Sequence, residues 1–279
     1  MMQLPTILVD EVIRIALKED INYLDTATDY MIDEQQISTA QFLAKADGVL
    51  CGMDIALRVF ELLGDFEIER LKRDGDRIAK GEILGRITGN TRLLLHGERT
   101  ALNLVQHLSG IATETARCVA LVEGTKASIA DTRKTLPGLR ALQKYAVTCG
   151  GGKNHRFNLS DAAMLKDNHI DAAGGILPAV ETLRRYLGHT VKIEVETRNL
   201  AEVGEAIKAG ADIIMLDNMK LDEMRQAVEL VDGRALTEAS GGITSETLGP
   251  VAQTGVDIIS IGALTHSVKA FDISLKIIK

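Results

Sequence analysis

Apolar positions along the chain follow one rhythm in the first third and another beyond it. Val12, Ile13, Ile15, Ala16 and Leu17, set among charges between Val9 and Lys18, have the spacing of a short amphipathic helix. Asp20 to Asp29 is polar and reads as a loop. Ser38 to Ala44 reads as a strand, followed by a turn at Asp47-Gly48. Met53 to Leu63 returns to helical spacing through Ala56, Leu57, Val59 and Phe60. Leu71 to Leu84 holds Asp74-Gly75-Asp76 and Lys80-Gly81-Glu82, two turns between short strands. Thr91 to Ser109 is a long helical pattern, and Gly110-Ile111-Ala112-Thr113 leads into a second helix reaching Val122.

Beyond Val122, short apolar runs alternate with helices. Residues 127–130, 191–195, 212–216, 236–239 and 257–261 read as strands, and 176–187, 199–209, 222–231 and 245–254 as helices. Two stretches echo each other: Ala209-Gly210-Ala211-Asp212-Ile213-Ile214 and Thr254-Gly255-Val256-Asp257-Ile258-Ile259. In both, a helix stops at a glycine and an apolar strand follows. Strands apolar on both faces and alternating with helices belong to parallel βαβ units. A series of them predicts an α/β fold, a β/α barrel preceded by an α+β sandwich, with an open doubly wound sheet as the second architecture. The expected division is 1–109 for the sandwich and 110–267 for the barrel, with a helix over 268–279 packing back on the sandwich.

Composition narrows the class. The 279 residues carry 3% aromatics and no Trp, so the core is aliphatic. No apolar run approaches the roughly 18 residues of a membrane span, and Met1 to Asp10 lacks the pattern of a secretory signal. Three widely spaced cysteines form neither a disulfide framework nor a Cys-x-x-Cys metal pair, which points to a reduced, cytoplasmic protein. Cys149 reads as a packing residue. The formal net charge is -7, yet residues 131–170 carry Arg133, Lys134, Arg140, Lys144, Lys153, Arg156 and Lys166 against Asp131, Asp161 and Asp167. A basic island in an acidic chain predicts a pocket for a small polyanion, whereas a nucleic-acid surface would tilt the whole domain basic.

Barrel chemistry belongs at the C-terminal ends of the strands. Those ends here are Asp131-Thr132-Arg133-Lys134, Glu196, Asp217-Asn218, Ser240-Gly241-Gly242 and Gly262-Ala263. Gly-rich turns entering helices present backbone N–H groups to phosphate. Glu196 and Asp217 on successive strands are candidate ligands for Mg²⁺, directly or through water or substrate. Glu194 points to the same side as Glu196, one layer deeper. Singly, each motif has a structural reading: a polar strand exit, an edge-strand carboxylate, a tight turn. Their conjunction is what argues for a site. A Schiff-base aldolase using Lys134 or Lys166 and a non-catalytic binding module stay open at this level.

Several longer motifs carry a family resemblance: Gly48-Val49-Leu50-Cys51-Gly52, Glu98-Arg99-Thr100-Ala101-Leu102-Asn103, Asp131 to Arg140, Gly151 to Arg156, Lys166-Asp167-Asn168-His169, Met215-Leu216-Asp217-Asn218, Glu238 to Ile243 and Gly262 to Ser267. On these the chain resembles the decarboxylating nicotinate-nucleotide pyrophosphorylases, or quinolinate phosphoribosyltransferases, over nearly its whole length. The resemblance implies a type II phosphoribosyltransferase with an incomplete barrel. The implied reaction joins quinolinate and phosphoribosyl pyrophosphate, with Mg²⁺, to give nicotinate mononucleotide, pyrophosphate and CO₂ in NAD biosynthesis. By position it implies that Arg133, His155, Arg156 and Lys166 bind quinolinate, with Thr132 beside them and Lys134 between the two substrates. Glu196 and Asp217 lie by the ribose and metal in the same transfer, making Lys134, Lys166, Glu196 and Asp217 the expected catalytic group. Ser240, Gly241, Gly242, Gly262, Ala263 and His266 match the phosphate region. Arg99 matches an arginine reaching in from a neighbouring subunit of a homodimer or larger homo-oligomer.

Overall fold

The computed structural model describes residues 4–21 and 25–278. Readings that touch residues 1–3, 22–24 and 279, at the start of the chain, in the Asp20 to Asp29 loop and at the end of the expected final helix, lie there outside the described residues. In chain order the elements are α1 (Thr6–Asp20), α2 (Thr28–Met31), β1 (Ile37–Ala44), β2 (Gly48–Val49), α3 (Met53–Glu61), β3 (Phe66–Arg70), β4 (Arg77–Ile78), β5 (Ile83–Asn90), α4 (Thr91–Leu121), β6 (Ser128–Ala130), α5 (Arg140–Cys149), β7 (Ala163–Leu165), α6 (Asp167–Ala173), α7 (Ile176–Tyr186), β8 (Ile193–Thr197), α8 (Leu200–Ala209), β9 (Ile213–Asp217), α9 (Leu221–Val231), β10 (Leu236–Ser240), α10 (Ser245–Ala252), β11 (Ile258–Ser260), α11 (Ala263–His266) and β12 (Ile273–Ile278). The chain forms two compact units. One comprises Met1–Ala116, Thr135–Gly151 and Leu264–Lys279; the other comprises Arg117–Lys134 and Gly152–Ala263. Among the described residues, no helix is long and apolar enough to cross a membrane.

The first unit is built on an antiparallel sheet in the order β12-β1-β5-β3. Alternate residues of β1, Ala40, Phe42 and Ala44, are fully buried, as the period of two requires. Phe42 meets Phe60 of α3 edge-on at 6.4 Å, and Phe60 meets Phe66 at 5.7 Å.

Two expectations fail in this unit. The final segment is not a helix: Ile273–Ile278 pairs antiparallel with Thr39–Ala44. Its apolar density fits either structure, and the ladder offered by the edge of β1 decides for a strand. Nor does Gly110 divide two helices, because α4 runs unbroken through 31 residues. A Cβ at Gly110 would lie 2.3 Å from the Lys269 carbonyl oxygen. The glycine is there for close approach of two backbones, which offsets its cost of about 1 kcal/mol in a helix interior.

The second unit holds six parallel strands in the order β6-β11-β10-β9-β8-β7. The strands from β7 to β11 neighbour one another in chain order, and β11 then pairs with β6, the first. That winding is a barrel's. Lys153, which lies outside the named strands, bridges to Ala130 of β6, and among the described residues no ladder joins this bridge to β7, so the barrel is incomplete. The three residues of β7, which no pattern predicted, are too few to show a period.

The echoing stretches share a device at the strand starts. An Asp212 carboxylate oxygen accepts the Ile193 N–H at 2.8 Å, and an Asp257 carboxylate oxygen accepts the Thr237 N–H at 2.8 Å. Lys192 and Lys126 lie 3.1 Å from these two carboxylates. Burial would raise the Asp257 pKa, but the Thr237 hydrogen bonds and Lys126 outweigh it and hold the group below 3.8. The folded-state pKa is depressed, so the stabilisation is complete above the unfolded value and is lost as pH falls through the folded one. Asp257→Asn is expected to cost about 1–2 kcal/mol at pH 7, with the difference shrinking below about pH 4; paired melting curves across pH check this.

Candidate active site

A cavity of about 620 Å³ lies in the second unit, lined by residues at or just beyond the C-terminal ends of its strands. Thr132, Arg133 and Lys134 follow β6, Lys166 follows β7, and Glu196 and Asp217 close β8 and β9. Ser240 ends β10, with Gly241 and Gly242 in the turn beyond. His155 and Arg156 come from the segment beside β6. The structure thus brings these eleven predicted positions to one wall. Arg99, Gly262, Ala263 and His266 are not among its lining residues. Arg99 is exposed on α4, in the first unit, and the His266 ring bonds the Ser267 hydroxyl at 2.7 Å.

The segment carrying His155 and Arg156 is held by Asp131. This carboxylate is fully buried and accepts the Asn154 amide at 2.6 Å and the His155 N–H at 2.9 Å. The Lys153 N–H donates to the Ile129 carbonyl at 2.8 Å. Asp131, the start of a basic run in the sequence, is therefore a structural tie that aims two cations into the cavity. Arg156 donates to the Ala162 carbonyl at 3.1 Å. Burial, and next the positive charge of Arg133, lower its pKa. Two guanidinium groups close enough to oppose each other's charge form a ready site for an anion.

Strand register sets the carboxylates. Glu196, Met215 and Glu238 fall in one row across β8, β9 and β10, and Asp217 pairs with Ser240 two residues further on. Lys166 Nζ sits 2.8 Å from Glu196 Oε2, and Asn218 Nδ2 donates to Asp217 Oδ2 at 2.8 Å. Asn218 has a left-handed backbone with φ of 53°. Its side chain occupies the space that a Cβ on Gly241 would take, 2.3 Å from Oδ1, and Gly241 itself has φ of 95°. Glycine is required there on both counts.

Glu238 of this row also belongs to a buried charge cluster. His155 Nε2 is 3.1 Å from Glu194 Oε2 and 3.4 Å from Glu238 Oε1, and both carboxylates are almost wholly buried. Burial pushes the His155 pKa down, but hydrogen bonds and charge from Glu194 and Glu238 outweigh it and raise it to about 10. The Arg156 N–H donates to His155 Nδ1 at 2.7 Å, which resists a second ring proton. These two influences disagree about the charge of the ring and agree on a proton at Nε2, facing the carboxylates. Burial, and then the charge of Glu238, raise the Glu194 carboxyl pKa, with His155 and Arg156 pulling it back.

These three ligand atoms lie within 4.8 Å of one another; the ring hydrogen-bonds Glu194 Oε1 at 3.3 Å, while Glu194 Oε2 and Glu238 Oε1 are buried without a hydrogen-bond partner. Glu196 and Asp217 are the better metal candidates, because both reach the cavity and offer hard oxygen donors. Sequence reasoning placed Glu194 one layer down, gave Asn218 a strand-end position without a role, and missed Glu238 as a wall residue. Glu238 stands two residues before Ser240 on the same strand face, a signal the period of two carries.

Comparison with known proteins points to one family. Residues 111–276 match the family described as quinolinate phosphoribosyl transferase, C-terminal domain, and residues 25–109 match the N-terminal domain of the same family. A probable nicotinate-nucleotide pyrophosphorylase [carboxylating] of Bacillus subtilis is 47% identical over 261 residues, covering 93% of this chain and 90% of that protein. A mitochondrial quinolinate phosphoribosyltransferase [decarboxylating] of Nicotiana tabacum is 44% identical, covering 98% of this chain and 83% of that one. The crystal structure of NadC from Streptococcus pyogenes superposes with a TM-score of 0.96 at 42% identity, covering 100% of both chains.

Proposed function

The chain belongs to the quinolinate phosphoribosyltransferase family, and from that premise we infer how the cavity divides its work between two anionic substrates. The protein is a phosphoribosyltransferase of the decarboxylating type. It joins quinolinate to phosphoribosyl pyrophosphate and releases pyrophosphate and CO₂, giving nicotinate mononucleotide for NAD biosynthesis. The observation that carries the residue assignments is the convergence of Arg133, Lys134, Arg156 and Lys166 with Glu196, Asp217 and a glycine turn on one wall.

Arg133, Arg156 and Lys166 take the two carboxylates of quinolinate, with guanidinium groups supplying planar, bidentate recognition. His155 lines the same cavity and turns its Nε2 toward Glu194 and Glu238. Lys134 lies between the substrates, with Thr132 beside it. Ser240, Gly241 and Gly242 receive phosphate oxygens, and Gly262 and Ala263, just beyond β11 in the same unit, extend that region. Glu196 and Asp217 face the ribose, where a carboxylate stabilises positive charge developing at C1 as pyrophosphate leaves. They would also hold Mg²⁺, which would offset the charge of the leaving pyrophosphate. The pyridine nitrogen attacks C1, and its positive charge in the product then favours loss of the adjacent carboxylate. Arg99 serves a neighbouring subunit, so the working unit is a homodimer or larger. Three buried cysteines, none in a disulfide, support a cytoplasmic setting.

The test is a product assay with quinolinate, phosphoribosyl pyrophosphate and Mg²⁺, following nicotinate mononucleotide and CO₂ together. One CO₂ per nucleotide is expected, with nicotinate a poor replacement. Equal use of nicotinate would refute the assignment of the cations to two carboxylates.

A further inference from the structure

Within the first unit, away from any residue assigned above, Cys51, Asp74 and Cys149 bring their ligand atoms within 4.8 Å of one another. They come from three separate parts of the sequence: the stretch before α3, the turn before β4, and the last residue of α5. Both cysteines are buried. The Cys51 backbone is clamped, its N–H donating to Ser109 Oγ at 3.0 Å while its carbonyl accepts from the same hydroxyl at 3.0 Å. Asp74 Oδ2 accepts from the Gly52 N–H and the Tyr145 hydroxyl, each at 2.9 Å, and Oδ1 accepts from the Met53 N–H at 2.9 Å. A carboxylate has about four lone-pair sites. Three protein donors of fixed position thus orient Asp74 and leave room on Oδ1 for one more partner. Held carboxylates of this kind, with their own hydrogen-bonded supports, are typical of metal ligands.

Cation binding at such a cluster releases the thiol protons, because the thiolate is the ligand. We propose that Cys51, Cys149 and Asp74 form a three-ligand site for a thiophilic divalent cation such as Zn²⁺, pinning the start of α3, the Asp74 turn and the end of α5 together. Two thiolates and one carboxylate select a borderline-soft ion over Mg²⁺. Tetrahedral zinc places ligand atoms about 3.5–3.8 Å apart, so a cluster whose atoms lie within 4.8 Å of one another needs to contract by at most about 1.3 Å. Asp74 and its support Tyr145 also line a cavity of about 830 Å³.

Co²⁺ added to reduced, chelator-treated protein tests this, because a thiolate-to-cobalt charge-transfer band reports sulfur ligation and ignores ions held by carboxylates elsewhere. One cobalt per chain is expected, displaced by Zn²⁺. Cys51→Ser and Cys149→Ser should each abolish the band and Cys118→Ser should leave it. Tyr145→Phe, which removes a support of Asp74, should weaken affinity about 10–100-fold. Melting temperature gives a second readout: Zn²⁺ should raise it saturably in the native chain and not in folded Cys149→Ser. A native chain without the band, or a band that survives Cys149→Ser, overturns the site.

Discussion

Lys166→Ala is expected to lower kcat/KM for quinolinate by about 10²–10³-fold, the loss typical when one preorganised charge-stabilising group is removed. The side chain is half-exposed, reaches the cavity from the end of β7, and meets Glu196 Oε2 at 2.8 Å. Removing it takes a cation from a dianion and leaves Glu196 without its ammonium partner, so binding and turnover should both suffer. The fold should survive, because an exposed ion pair contributes at most about 1 kcal/mol. Steady-state kinetics beside a melting curve separate these effects. Wild-type kinetics in a well-folded variant would remove Lys166 from the site. The same variant probes the role of Arg99. Mixed Arg99→Ala and Lys166→Ala chains, each inactive alone, should regain activity in hybrids if Arg99 acts across subunits; verified hybrids that stay inactive would refute sharing.

Asp217→Asn should have the second large effect, about 10²-fold in kcat, together with a shift of the Mg²⁺ response to higher concentration. Asparagine keeps the shape that Asn218 and Ser240 pack around, and it removes the negative charge that a hard cation and a developing ribose cation both need. Glu196→Gln should act in the same direction. A Mg²⁺ titration of activity provides the measurement. An unchanged Mg²⁺ midpoint with lowered kcat would assign Asp217 to the ribose alone.

Much of this site was legible as residue types at predicted strand ends. A parallel strand buried on both faces shows itself as a continuous apolar run, and the first polar residue after it stands where barrel chemistry occurs. That reasoning reached Glu196, Asp217 and the glycine turn after Ser240 without any contact information. It did not reach the cluster of His155, Glu194 and Glu238, because residues 39 and 44 positions apart meet only through strand order. Nor could it show that Gly241 has its conformation partly to make room for Asn218.

The amino-acid sequence by itself determined the periods: which segments alternate every two residues, which every three to four, and which residues follow each apolar run. These are properties of a local backbone and hold before any long-range contact exists. Tertiary structure decided everything that needed a partner. Ile273–Ile278 became a strand because β1 had an edge to pair. Gly110 stayed inside a helix because the Lys269 backbone passes against it. Asp131, a countercharge in the basic island by sequence, became the tie that holds His155 and Asn154. The physical reason is common to all three. Local preference at such positions is worth about a kilocalorie per mole or less, and one backbone ladder or one close contact between distant segments outweighs it.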